Sequence, residues 1–322
     1  MLNESTPRAR AIFFGTPEFA VPCLSALAEI AQVVCVVTQP DRPSGRGMKL
    51  AAPPVKLRAQ ELGLAVIQPT KVRTPQFADE LRALQADVAV VVAYGRILPA
   101  AVLSAPRLGC VNVHASLLPK LRGAAPIQWS IVHGESQTGA CLMQMDEGMD
   151  TGPVLARASL PIGPEETSSE LTLRLSALGA ELLRRELPRL LRGELCAEPQ
   201  DAAQATLAPV LRKDHGQVDW QGTATQIHDL VRGMSAWPGA YTWLDGTRVK
   251  LHAVQVKNAT ERLAEPGFIL CASSDGIEVA CGRGSVLVTE VQLEGSRRMA
   301  AGAFVAGHRL PSHARFGMSQ PA

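Results

Sequence analysis

The sequence predicts a doubly wound, mostly parallel α/β domain followed by a smaller OB-like β-barrel. Three observations predict it. Runs such as Val33 to Thr38 and Asp87 to Ala93 are almost unbroken apolar and β-branched residues. Strands of that kind are buried on both faces, which is the habit of parallel sheets. Between them lie segments with helical spacing and capping residues, so strands and helices alternate. After residue 209 the pattern changes to short strands separated by Asp-Gly turns, the mark of a small antiparallel domain.

Taken in order, Ala9 to Phe14 is a buried strand that ends at Gly15-Thr16-Pro17. Pro17 can open a helix with Thr16 as its cap, and Phe19 to Leu27 continues it. Val33 to Thr38 is the second strand. A helix over 55–62, a strand over 65–67, a helix over 75–84 and the strand Asp87 to Ala93 follow. Gly139 to Met145 enters an acidic, glycine-bearing loop, and Val154 to Ala158 leaves it. Leu171, Leu175, Leu178, Leu182 and Leu183 recur at helical spacing within a long amphipathic helix over 167–191. Residues 193–209 lose periodicity and read as a linker, which sets domains over 1–192 and 210–322. The second domain opens with a helix over 223–234. Strands are expected over 240–244, 250–256, 267–271, 277–280 and 286–293, with turns at Asp245-Gly246 and Asp275-Gly276.

A chain of 322 residues, 46% hydrophobic and 19% charged, is long enough for two ordinary cores. Its net charge of +2 makes it no polycation, so a nucleic-acid partner would be held by local patches. The seven cysteines form no C-x-x-C, and most sit in apolar runs, where a buried reduced thiol is expected. The first apolar run is broken by Gly15, Pro17, Glu18 and Pro22, so neither a membrane span nor a signal peptide is expected. A cytoplasmic enzyme is. The turn after the first strand is Gly-Thr-Pro-Glu-Phe-Ala and lacks the second glycine of G-x-G-x-x-G, which argues against a dinucleotide cofactor.

The chemistry centres on Gly109 to Gly123. Asn112 and His114 lie two apart in an alternating run, so a strand projects both from one face. Asp146 and Asp150 follow in the loop ending at Gly152, and Asp150 is flanked by Gly148 and Gly152, where backbone bends sharply. An amide, an imidazole and a carboxylate together suit acyl transfer to an amine: donors for a carbonyl oxygen, and a base for the incoming nitrogen. Ser116 lacks a G-x-S-x-G elbow, so a serine nucleophile is ranked low. The segment Gln39 to Leu50 carries Arg42, Arg46 and Lys49 against one acid on a Pro/Gly frame. Most such loops are simply solvated; this one also suits a mobile arm that grips phosphate. The last segment, Gly295 to Ala322, has four Arg, two His and no acid.

Asn112-Val-His114, Ser116-Leu-Leu-Pro119, Arg122-Gly123 and Asp150-Thr-Gly resemble the formyltransferases that use 10-formyltetrahydrofolate. Phe13-Phe-Gly-Thr-Pro-Glu-Phe-Ala20, the 39–47 loop, Ala93-Tyr-Gly95 and Trp237-Pro-Gly-Ala-Tyr241 extend the resemblance over nearly the whole chain. It implies a Rossmann-like formyltransferase domain with Asn112, His114 and Asp150 as catalytic residues. Asn112 and His114 would polarise the formyl oxygen, and Asp150 would help deprotonate the amine. It also implies folate beside Tyr94, Gly95, Ser116, Leu117, Leu118 and Pro119, and no metal. The basic loop and the second domain resemble those of members acting on methionyl initiator tRNA. Arg42, Arg46 and Lys49 would then meet the acceptor end, although Met48 stands where lysine is common. A monomer is expected. The alternative is a relative acting on a small amine such as an amino sugar nucleotide, which has no need of the basic loop.

Overall fold

The computed structural model describes residues 8–44, 49–308, 310–311 and 313–317. It divides into two compact units, one of residues 1–126, 137–161 and 172–209, the other of residues 127–136, 162–171 and 210–322.

The first unit begins with β1 (Arg10–Gly15), α1 (Val21–Ile30) and β2 (Gln32–Val37). A short hairpin, β3 (Arg42–Ser44) and β4 (Lys49–Ala51), precedes α2 (Pro54–Glu61), β5 (Val66–Ile67), α3 (Pro75–Ala83) and β6 (Val88–Val92). Next come α4 (Ala100–Leu103), β7 (Cys110–His114), β8 (Arg122–Gly123) and α5 (Pro126–Val132), which from residue 127 counts with the second unit. β9 (Gln137–Gln144), β10 (Val154–Pro161), α6 (Ser168–Leu191) and β11 (Leu207–Ala208) follow.

The main sheet has the order β10-β9-β7-β6-β1-β2-β5. It is parallel from β7 to β5, while β9 runs antiparallel to β7 and β10 to β9. The unbroken apolar strands have the expected cause. In β1, Ala11 and Phe13 join a core with α1 and α6, while Ile12 and Phe14 join a separate core with α3 and α4. In β6, Val88, Val90 and Val92 pack to the first side, Ala89 and Val91 to the other. Each buried Phe is worth about 2–3 kcal/mol of transfer free energy, so both faces must be covered and no polar alternation survives. β1 lies between β2 and β6, so the chain reverses its direction of travel across the sheet between β1 and β6. Ligands of open α/β sheets bind at such a reversal, outside the carboxyl ends of the strands.

Residues 193–209, which the sequence reading takes as a linker, run with the first unit. Leu207 and Ala208 pair in parallel with Arg122 and Gly123.

In the second unit, α7 (Ala224–Gly233) starts from a capping box in which the side chains of Thr223 and Gln226 satisfy each other's backbone N–H groups. β12 (Ala240–Leu244), β13 (Thr247–Asn258), β14 (Ile269–Ser273), β15 (Gly276–Ala280), β16 (Ser285–Leu293) and β17 (Met299–Ala300) form an antiparallel sheet, followed by α8 (Ala301–Gly307). The strand path is β12-β13-β16-β15-β14, with β17 on β16. Asp245 and Gly246 take φ of 47° and 75°, which is the primed turn that matches strand twist. Five of the cysteines are buried and two, Cys196 and Cys271, are exposed. Among the described residues no helix is long and apolar enough to cross a membrane.

One polar cluster in this unit, buried at His228 and Asp229 and exposed at Glu165, has a pH signature. His228 Nε2 meets Glu165 Oε2 at 3.0 Å, and its Nδ1 lies 3.6 Å from Asp229 Oδ1. Asp229 is itself paired with Arg232. The hydrogen bond with Asp229, joined by Glu165, holds the imidazolium above its ordinary pKa against the opposing effect of burial. A raised folded-state pKa stabilises fully below the unfolded value of about 6.5 and loses that contribution as pH rises through the folded value. His228→Gln is therefore expected to flatten the fall in thermal stability above neutral pH. An unchanged slope of Tm against pH between the two proteins would rule the cluster out as its source.

Candidate active site

The site is built on β7. Val111 and Val113 turn into the core beneath α1 and α6, so Asn112 and His114 turn to the opposite face, the side of Cys110. His114 is buried and Asn112 half-buried. After His114 the chain folds tightly. Ser116 Oγ donates to the Lys120 carbonyl at 2.6 Å, and Leu121 takes a left-handed φ of 60°. The Leu121 backbone N–H is held by Thr206 Oγ1 at 2.9 Å. This places the Leu121 carbonyl 3.0 Å from His114 Nε2. A carbonyl can only accept, so the proton is on Nε2, and Nδ1 is the nitrogen left for chemistry.

Nδ1 faces Asp150. Its distance to Asp150 Oδ2 is 3.6 Å, and Asn112 Nδ2 donates to Asp150 Oδ1 at 3.4 Å. Asp150 sits at φ of 55°, a conformation that Asp and Asn tolerate better than most residues. Its Oδ2 accepts from the Gly123 N–H at 2.8 Å. Gly123 itself has φ of 120°, and a Cβ there would meet the Ala208 carbonyl oxygen at 2.6 Å. Only glycine lets that N–H reach the carboxylate. The three residues singled out in the sequence therefore meet in one cluster.

Asp146 does something different. Its Oδ1 accepts from the Gly148 N–H at 3.0 Å and from Thr151 Oγ1 at 2.7 Å, shaping the loop from within. Gln200 was not foreseen. Its Nε2 donates to the carbonyls of Asp150 and Gly152 at 2.8 and 2.7 Å, and its Oε1 accepts from Arg122 Nη2 at 2.9 Å. It clamps the Asp150 loop from a segment whose lack of periodicity gave no signal.

The expected folate-side residues divide in two groups. Gly95 lines a cleft together with Tyr94. The Tyr94 side chain is buried, its ring edge-on to Phe14 with centroids 5.3 Å apart. Ser116 is fully buried with its hydroxyl engaged, and Leu118 is buried, while Leu117 and Pro119 are half-buried. Whatever Tyr94 and Ser116 offer a ligand comes from backbone. Burial pushes the Cys110 thiol up to about 12 and the Cys141 thiol up to about 11, so neither is a nucleophile near neutral pH.

Of the basic loop, Arg42 is exposed on the β3–β4 hairpin, while Arg46 and the side chain of Lys49 lie outside the described residues. The acid of the loop, Asp41, is taken by Lys56 at 2.7 Å and by Gln68. These hydrogen bonds, that of Lys56 first, hold its carboxyl below the usual range.

A strand-borne Asn and His facing a looped Asp, beside the crevice of a doubly wound sheet, define an acyl-transfer enzyme. The formyl transferase sequence signature spans residues 9–187 and that of the formyl transferase C-terminal domain residues 210–309, and the chain belongs to this family. More particularly, it groups with the methionyl-tRNA formyltransferases. It is 55% identical over 302 residues to the one from Sorangium cellulosum, covering 94% of this chain and 97% of that relative. It is 52% identical to the one from Myxococcus xanthus, covering 94% and 96%. Among solved structures, the N-formyltransferase from Helicobacter canadensis, in complex with folinic acid and dTDP-3-aminofucose, shares the fold. Its TM-score is 0.66 at 17% identity, over 90% of this chain and all (100%) of that one. HypX from Aquifex aeolicus with tetrahydrofolic acid gives 0.59 at 17% identity, over 93% of this chain and 47% of that one.

Proposed function

We propose that this formyltransferase moves a formyl group from 10-formyltetrahydrofolate to the amino group of methionyl initiator tRNA, acting as a monomer in the cytoplasm. The observation that carries the chemistry is the convergence of Asn112, His114 and Asp150 within hydrogen-bond or ion-pair reach of one another. The acceptor follows from the name that relatives of matching length carry, and from the basic hairpin.

The roles follow from the geometry. Asn112 Nδ2 is a donor for the negative charge that develops on the carbonyl oxygen as the amine attacks. His114, with Nε2–H committed to the Leu121 carbonyl, presents Nδ1 beside Asp150. Protonated there, it is a second donor to that oxygen; neutral, it accepts a proton. Asp150, anchored by the Gly123 N–H, takes up the proton lost by the amine, directly or through His114. The donor would lie against the backbone of Tyr94–Gly95, the 116–119 turn and the Asp150 loop. The engaged Ser116 hydroxyl fits that assignment, because it leaves only main chain and apolar surface on this wall. When bound, the donor supplies the activated formyl group.

Arg42, and with it Arg46 and Lys49, would hold tRNA phosphates. Purified protein with 10-formyltetrahydrofolate is expected to formylate charged initiator tRNA and leave free methionine nearly untouched. Equal activity on an amino sugar nucleotide would overturn the reading. Arg42→Ala is expected to raise KM for the tRNA without changing affinity for the folate. It should also lower the slope of log affinity against log salt by about 1, the share of one phosphate contact.

A further inference from the structure

Residues 198–208 form a strap whose side chains are mostly exposed, so little apolar burial holds it down. Its anchors are polar, and they fall on the two segments that flank the Asp150–His114 pair. At one end Glu198 and Val154 exchange backbone hydrogen bonds of 2.8 and 2.9 Å, just past the Asp150 loop. At the other, Leu207 and Ala208 pair with Arg122 and Gly123. Thr206 Oγ1 accepts from the Leu121 N–H, and the Leu121 carbonyl is the partner of His114 Nε2. All of these residues belong to the first unit.

Gln200 closes a ring of contacts within this strap. The Asp150 and Gly152 carbonyls both face its side chain, and carbonyls only accept. The group between them must donate twice, which an amide nitrogen does and a carboxylate cannot. That orientation turns Oε1 toward Arg122, whose Nε and Nη2 donate to it at 3.1 and 2.9 Å. Arg122 is followed by Gly123, and the Gly123 N–H holds Asp150 Oδ2 at 2.8 Å. The backbone of Asp150 and its carboxylate are therefore fixed to the same two residues of β8, the backbone through Gln200. Asp150 needs such a hold, because a non-glycine residue at φ of 55° keeps that conformation only where its surroundings impose it.

Resting on Asp150 and His114 as the catalytic pair of the proposed function, we propose that Gln200 is a positioning residue for formyl transfer. By holding the carbonyls on both sides of Thr151, it sets the Asp150 carboxylate against His114 Nδ1. It acts through Asp150 and moves no proton itself, since a primary amide neither gains nor loses one near neutral pH. The separation it maintains is 3.6 Å between Asp150 Oδ2 and His114 Nδ1. That is already just beyond the reach of a direct hydrogen bond, so the pair has no slack outward. A misplacement of about 1 Å at a reacting group costs about 100-fold.

The test is single-turnover formylation of methionyl-tRNA by the full-length enzyme, with KM for each substrate and Tm measured alongside. Gln200→Met keeps length and bulk but cannot donate. Gln200→Glu keeps an acceptor for Arg122 but sets a carboxylate against the two carbonyls. Both are expected to slow the chemical step by about 10- to 100-fold, with both KM values within about 2-fold of the parent's. In the Asp150→Asn background, Gln200→Met is expected to cost less than about 3-fold, because a residue acting through Asp150 has nothing left to position. A merely structural role would cost the same in both backgrounds. Parent-like rates in Gln200→Met would overturn the proposal. So would parent-like rates in Gln200→Glu, which would mean that only the Arg122 contact matters, or a full further loss in the Asp150→Asn background. A large loss in Asp150→Asn with a silent Gln200→Met refutes the positioning role alone. A silent Asp150→Asn refutes the catalytic pair, and the positioning role with it, so the two failures are separable.

Discussion

Asp150→Asn is expected to lower kcat by about 100- to 10,000-fold, the range for loss of a positioned general base. The substitution isolates charge from shape. Asparagine tolerates a φ of 55° as well as aspartate does, and its amide oxygen can keep the bond from the Gly123 N–H. The loop is also clamped from outside by Gln200, through bonds to the carbonyls of Asp150 and Gly152. Folding and binding should therefore survive. Single-turnover formylation separates the chemical step from release, and folate affinity and Tm serve as controls. A variant within about 10-fold of the parent in that assay would remove Asp150 from the proton path, because that lies below the range for a general base.

Asn112→Ala is the second large effect. Loss of one donor to a developing oxyanion costs about 100- to 1,000-fold. The bond forms its full strength only as negative charge grows, so the loss belongs in kcat, with KM for tRNA nearly unchanged. The position makes this readable. Asn112 is half-buried on a strand whose neighbours Val111 and Val113 carry the packing, so removing its amide leaves the core intact. Its other partner is Asp150 Oδ1 at 3.4 Å, a long contact beside the 2.8 Å bond from the Gly123 N–H. Comparing the two single variants with the double variant measures how far the residues act as one unit. Losses that multiply would mean independent roles, and losses that overlap would mean a shared transition-state contact.

Both predictions concern residues of the first unit alone. The Helicobacter canadensis structure shares the fold at 17% identity, so the fold leaves the acceptor open. The basic hairpin is where specificity is expected to reside, and the variant at Arg42 addresses it separately from chemistry.

Much of this was legible in the residues alone, for local reasons. A period of two puts Asn112 and His114 on one face whatever the strand packs against. Unbroken Val and Ile runs require cover on both sides, and the two cores flanking β1 and β6 supply it. Asp245-Gly246 demands positive φ twice and obtains it. Each of these is a property of a few adjacent residues, so spacing is enough to read it.

What remained depended on contacts between segments far apart in the chain. Flanking glycines favoured Asp150 over Asp146, but only the fold shows why. Asp146 spends its oxygen within its own loop, while Asp150 meets Asn112, His114 and Gly123. Gln200 lay hidden in a stretch read as a linker, because a clamp made by one amide leaves no periodic trace. The tautomer of His114 was set by a carbonyl seven residues on, which only the left-handed turn at Leu121 could bring back. Periodicity records which way a side chain points. Which atom it finally meets is decided by how the sheet and its loops close around it.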